Sequence, residues 1–156
     1  MKPTNVTRML DQRNIPYTII ELPAIKLSAV EAAQIMGVTP NMVYKTIVVK
    51  RQIKGKPILA VIPGDKTVNL KSVAQTIGEK RVVLATEQEA EQMTMLQAGG
   101  ISPLALLNKG FQVILDREAT LLEYIYISGG QRGMDIRLPV TDLIQITNAT
   151  LAEISR

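Results

Sequence analysis

The chain has 156 residues, 18 Lys and Arg against 14 Asp and Glu for a net charge of +4, and 46% hydrophobic residues, with no histidine, cysteine or tryptophan. Without imidazole or thiol it cannot run a Ser-His-Asp or Cys-His nucleophile system, build a Cys/His zinc site or form a disulfide. Catalysis, if present, falls to Lys, Asp, Glu, Ser, Thr, Tyr, backbone groups or the substrate itself.

The length predicts one domain over residues 1–156, large enough to bury about 70% of its unfolded surface without a staple. Four Tyr and one Phe leave the core to aliphatic residues and make an aromatic base-stacking platform a poor expectation. The charged N-terminus lacks a signal-peptide core, and no apolar run approaches a membrane span, so the expected location is the cytoplasm with no membrane partner.

In chain order, the pattern predicts a helix from about Thr4 to Asn14, with Val6, Met9 and Leu10 on one face and Pro16 opposing its continuation. A weakly alternating strand follows over Tyr17–Leu22. Ser28 and Glu31 have the spacing of a capping box, opening a helix that stops at Gly37. Val43–Lys50 and Pro57–Ile62 read as a hairpin around the polar segment RQIKGK. Asn69 caps a helix ending at Gly78, and Arg81–Ala85 is a short strand.

Thr86 and Glu89 form a second capping box for a helix over Glu87–Met95, which runs into Gln97-Ala98-Gly99-Gly100-Ile101-Ser102-Pro103. Strands are expected over Phe111–Leu115, Tyr124–Ser128 and Met134–Leu138, and a last short helix at Thr141-Asp142. Helices and hairpins mixed in this order imply an α/β fold in the broad sense, or α+β. The expected form is a mixed, strongly twisted or partly closed barrel-like sheet flanked by short helices.

Charge is uneven. Residues 41–81 carry nine basic side chains against two acids, a local net of +7, leaving the rest at −3. A phosphate-rich partner would exploit such a region, though a solvated hairpin tip gives the same composition.

Three segments carry candidate chemistry. Lys45 shares a strand face with Val43, Ile47 and Val49, so its amine either snorkels to the sheet rim or lines a cleft where an anion or carbonyl compensates it. The paired glycines of Gly99-Gly100-Ile101-Ser102-Pro103 serve either a helix-to-strand connection or an oxyanion site made of backbone N–H groups. Ser128-Gly129-Gly130-Gln131-Arg132-Gly133-Met134-Asp135 is a wide hairpin turn or a backbone cradle. It leads into a strand and so fails the dinucleotide fingerprint. Asp135 either caps that turn or acts in the site.

Taken together, Val-Tyr-Lys-Thr at 43–46, Gly-Gly-Ile-Ser-Pro-Leu at 99–104 and Ser-Gly-Gly-x-Arg-Gly-x-Asp-Ile at 128–136 resemble the YbaK family, whose fold is shared with the inserted editing domain of prolyl-tRNA synthetase. The resemblance spans essentially the whole chain. It implies a free-standing trans-editing deacylase acting on mischarged aminoacyl-tRNA, with Cys-tRNA(Pro) and then Cys-tRNA(Cys) as first candidates. It also implies Lys45 as the functional lysine, and Gly99, Gly100, Ile101, Ser102, Pro103, Ser128, Gly129, Gly130 and Asp135 around the substrate. No cofactor or metal is implied. The partners implied are tRNA and, as a second candidate, prolyl-tRNA synthetase. The chain departs from the family pattern at Glu21-Leu22-Pro23 and at Gln131, which keeps Ala-tRNA(Pro) open as the alternative substrate. A tRNA- or synthetase-binding module without catalysis is the competing class.

Overall fold

The computed structural model describes residues 2–156. Helix α1 (Asn5–Gln12) leads to strand β1 (Thr18–Glu21) and helix α2 (Ala29–Met36), and a 3-10 turn at Pro40–Met42 delivers the chain to β2 (Tyr44–Arg51). The hairpin partner β3 (Ile58–Pro63) is followed by α3 (Leu70–Ile77), β4 (Val82–Leu84) and α4 (Glu87–Thr94). Next come a 3-10 turn at Pro103–Leu106, β5 (Gln112–Asp116), another 3-10 turn at Arg117–Leu121, β6 (Tyr124–Ser128) and β7 (Met134–Pro139). Helix α5 (Val140–Thr147) and strand β8 (Thr150–Ala152) complete the chain.

The mixed sheet expected from the sequence is realised as two open sheets. One has the order β1-β7-β6 and is antiparallel throughout. The other has the order β4-β2-β3-β5-β8, with β4, β2 and β3 antiparallel and β3, β5 and β8 parallel. A parallel bridge between Val43 and Tyr126 joins them.

Strand β3 explains why its sequence, ILAVIP, is apolar without alternation: all six residues are buried. Leu59 and Val61 face the main core with Leu115, Ile125 and Ile136, whereas Ile58, Ala60 and Ile62 face a second core closed by Val73 and Ala74 of α3. A strand covered on both faces reads as a continuous hydrophobic run. A third cluster packs Ala32 and Ala33 of α2 against Val43 and Tyr126 at the junction of the sheets.

Local chemistry sets the helix starts as expected. Ser28 Oγ accepts from Glu31 N–H while the Glu31 carboxylate accepts from Ser28 N–H, and Thr86 and Glu89 repeat the arrangement. A third box, Thr4 with Thr7, was not expected, because its reciprocal partner is a hydroxyl in place of Glu or Gln. The last helix begins at Val140 behind Pro139 and not at Thr141, and β8 lies where no strand is expected.

Candidate functional site

Lys45 lies near the start of β2, opposite Ile62 of β3. Its apolar row is not uniform. Ile47 and Val49 pack toward α3, but Val43 leaves the sheet to join the α2 cluster. The gap so created is a cavity, and the Lys45 amine enters it, donating to the carbonyl of Gly64 at 3.2 Å. Of the two sequence-level options for this lysine, the cleft is the one realised. Burial lowers the pKa of its amine from the ordinary value, opposed by the nearby Asp65 carboxylate.

Gly64 supplies both the acceptor and the room. A Cβ there would sit 2.7 Å from the Val43 carbonyl oxygen, 2.8 Å from Ala29 Cβ and 3.0 Å from the Pro40 carbonyl oxygen. Only glycine lets the chain pass between the 3-10 turn and α2. The sequence reading missed this residue; an isolated glycine directly after a buried strand was its one signal.

In the 99–103 segment the five residues divide by function. Gly99 and Ile101 line the cavity, and among the described residues neither donates its N–H to a protein acceptor. The Gly100 N–H is already bonded to Gln97 O at 2.8 Å, and Pro103 has none to offer. Ser102 is 0% exposed and its Oγ accepts from Leu104 N–H, holding the 3-10 turn. Gly100 permits close packing: a Cβ would come within 2.9 Å of the Gln131 backbone. The two glycine segments are therefore pressed together, and the first presents free donors from positions 99 and 101.

In the 128–135 segment, Ser128 and Asp135 stand directly opposite each other across β6 and β7, and both line the cavity. Ser128 Oγ accepts from Gly130 N–H at 3.2 Å, which leaves its hydroxyl proton available. Gly129 and Gly130 do not line the cavity. They pack behind it, where added Cβ atoms would meet Met134 Cε and Ala105 Cβ. Asp135 is only 9% exposed, and burial pushes its carboxyl up to about 6. It forms no ion pair with Lys45, although the two share the cavity.

The cavity measures about 480 Å³. Its remaining wall is largely aliphatic, including Leu22, Ile25, Leu27, Val30, Ile47 and Leu84, residues that the sequence reading did not single out. Across its rim Lys26 Nζ meets Glu87 Oε2 at 2.6 Å. A second cavity shares none of these residues; its Asp116 carboxylate is occupied by Glu118 N–H, Ile154 N–H and Ser155 Oγ, which ties down the C-terminus. Among the described residues no cluster of three or more acids is arranged for a metal, and no helix is long and apolar enough to cross a membrane.

The basic region is partly neutralised in the fold. Lys50 pairs with Glu89, Arg51 with Glu79 and Lys66 with Glu118, each acid lying far away in sequence from its partner. Lys56 packs over the Phe111 ring at 5.0 Å.

Known proteins are similar to this chain over most of its length. The model of the aminoacyl-tRNA editing domain matches residues 24–146, which include Lys45 and both glycine segments. A protein of Enterococcus faecalis, provisionally named Cys-tRNA(Pro)/Cys-tRNA(Cys) deacylase EbsC, is 34% identical over 97% of this chain and 93% of its own length. The prolyl-tRNA editing protein ProX of Acetoanaerobium sticklandii is 26% identical over 92% of this chain and 89% of its own. The crystal structure of a hypothetical protein superposes with a TM-score of 0.88 at 27% identity, covering 97% of this chain and 99% of that one. Matched across most of its length, with the motif lysine and both glycine segments inside the matched region, the chain belongs to the aminoacyl-tRNA editing domain family.

Proposed function

We propose that residues 1–156 act as one cytoplasmic trans-editing deacylase that hydrolyses the ester joining a wrong amino acid to the terminal adenosine of a tRNA, with Cys-tRNA(Pro) as the first substrate to test. The observation that carries this is the meeting in one cavity of the Lys45 ammonium, the unpaired N–H groups of Gly99 and Ile101, the Ser128 hydroxyl and the Asp135 carboxyl. Its volume of about 480 Å³ suits an aminoacyl group with part of its ribose, and its aliphatic wall suits a small side chain.

An aminoacyl ester is already activated, so the protein need only position it and stabilise charge on the carbonyl oxygen. The Gly99 and Ile101 amides are the donors for that oxygen. An ordinary lysine is protonated at neutral pH, and Lys45 serves as a cation that orients the terminal ribose or its phosphate. Asp135, buried without a cationic partner, receives the α-ammonium of the amino acid. The nucleophile comes from outside the protein: water, which the neighbouring ribose hydroxyl can orient, or the thiol of a cysteinyl substrate, which closes on its own carbonyl to a thiolactone that water then opens; either gives its proton to the departing ribose oxygen. The acyl C–O bond breaks, and the ribose hydroxyl leaves with a proton.

The similarity to a protein named as a cysteinyl deacylase places Cys-tRNA(Pro) ahead of Ala-tRNA(Pro). The test is a panel of tRNA(Pro) charged with cysteine, alanine or proline, together with Cys-tRNA(Cys), each incubated with the purified protein. Rapid release of cysteine with proline retained supports the reading; protection of every ester makes the chain a binder and ends it.

A further inference from the structure

The Ala98 peptide groups are held from both sides by charged side chains. Glu91 Oε2 of α4 accepts from Ala98 N–H at 2.8 Å, and Arg132 Nε of the β6–β7 turn donates to Ala98 O at 2.7 Å. The Ala98 carbonyl and the Gly99 N–H belong to one planar trans peptide and point in opposite directions. Arg132 therefore grips one end of a rigid unit whose other end is the Gly99 N–H, on the cavity wall and without a protein acceptor. Gly100 keeps the two segments in register by its backbone approach to Gln131 and Arg132.

We infer that Arg132 is the positioning residue of the oxyanion donor: its guanidinium fixes the plane of the Ala98–Gly99 peptide and polarises it, so that the Gly99 N–H is a stronger donor toward the cavity. A charged donor on the carbonyl draws electron density through the amide, and hydrogen bonds in series reinforce one another. Glu91 complements this by fixing the preceding peptide, so that Ala98 cannot rotate under the pull. This role rests on the deacylase reading for its catalytic consequence, but the peptide geometry can be read without any substrate.

The test combines two measurements on Arg132→Ala, Arg132→Lys and Glu91→Ala. In a ¹H–¹⁵N spectrum of the free protein, Arg132→Ala shifts the Gly99 amide upfield in nitrogen while cross-peaks of β3 and α3 stay in place, and Arg132→Lys restores part of the shift. With charged tRNA, kcat falls by about tenfold to a hundredfold, within the effect of losing one oxyanion donor, while KM is nearly unchanged. Because Glu91 and Arg132 act on one residue, the doubly substituted protein loses less than the product of the single losses. An unmoved Gly99 resonance in Arg132→Ala, or full kcat in that variant beside an active wild type, overturns the inference. An inactive wild type with a shifted Gly99 resonance instead removes the deacylase reading and leaves the peptide clamp standing.

Discussion

Replacing Asp135 by Asn separates stability from function in opposite directions. The carboxyl titrates near 6 in the folded protein against 3.8 when unperturbed, because burial disfavours the charged form. The folded state holds the proton more tightly, so the stability this group permits is complete below about pH 4 and is lost as pH rises through about 6. Two units at 1.36 kcal/mol each give on the order of 3 kcal/mol of destabilisation at pH 7.5 that a neutral amide avoids. For a chain of this size that is a rise in Tm of up to about 6–12 °C. Chemical denaturation of both proteins at pH 4 and at pH 7.5 measures it: the variant is expected to gain stability relative to wild type only at the higher pH, while deacylation falls about tenfold or more through loss of the α-ammonium partner. A stability difference that is the same at both pH values would refute the argument.

Lys45→Ala is expected to keep the fold and lose most turnover on pre-charged tRNA, checked by deacylation rate beside an unchanged circular dichroism spectrum; near wild-type turnover removes the residue from the mechanism. Gly64→Ala forces a methyl against two backbone carbonyl oxygens and Ala29 Cβ, costing about 1–3 kcal/mol in urea unfolding and displacing the acceptor of the Lys45 amine. Arg51→Met should destabilise by about 3 kcal/mol and Lys50→Met by less than about 1, because the side chain of Glu79 is 7% exposed and that of Glu89 is 34% exposed; equal losses in urea would contradict this.

The elements most legible in the sequence are those whose signals are local. The Ser28 and Thr86 boxes, the glycine stops at 37 and 78 and the apolar hairpin strands each state their own geometry within a few residues. What escaped depends on partners distant in sequence. Strand β8 exists because β5 offers an edge to it. In the site, the motifs located Lys45, Gly99, Ile101, Ser128 and Asp135, which line the cavity. They could not separate these from Gly100, Ser102, Pro103, Gly129 and Gly130, which build the support behind it. That distinction depends on which amide finds an internal acceptor and which glycine meets another backbone, and only folding decides either.

The cavity is walled by both sheets: Lys45, Ile47 and Leu84 come from the five-stranded one, Ser128 and Asp135 from the three-stranded one. Among the described residues a backbone bridge at Val43 and Tyr126 joins those sheets. The lysine and the aspartate thus sit on separate sheets joined by that bridge and by the main hydrophobic core, and their spacing depends on how the two sheets pack together. A change at Tyr126 or Ala33, which pack on the cavity-lining Val43 at this junction, is expected to alter catalysis by shifting one sheet against the other.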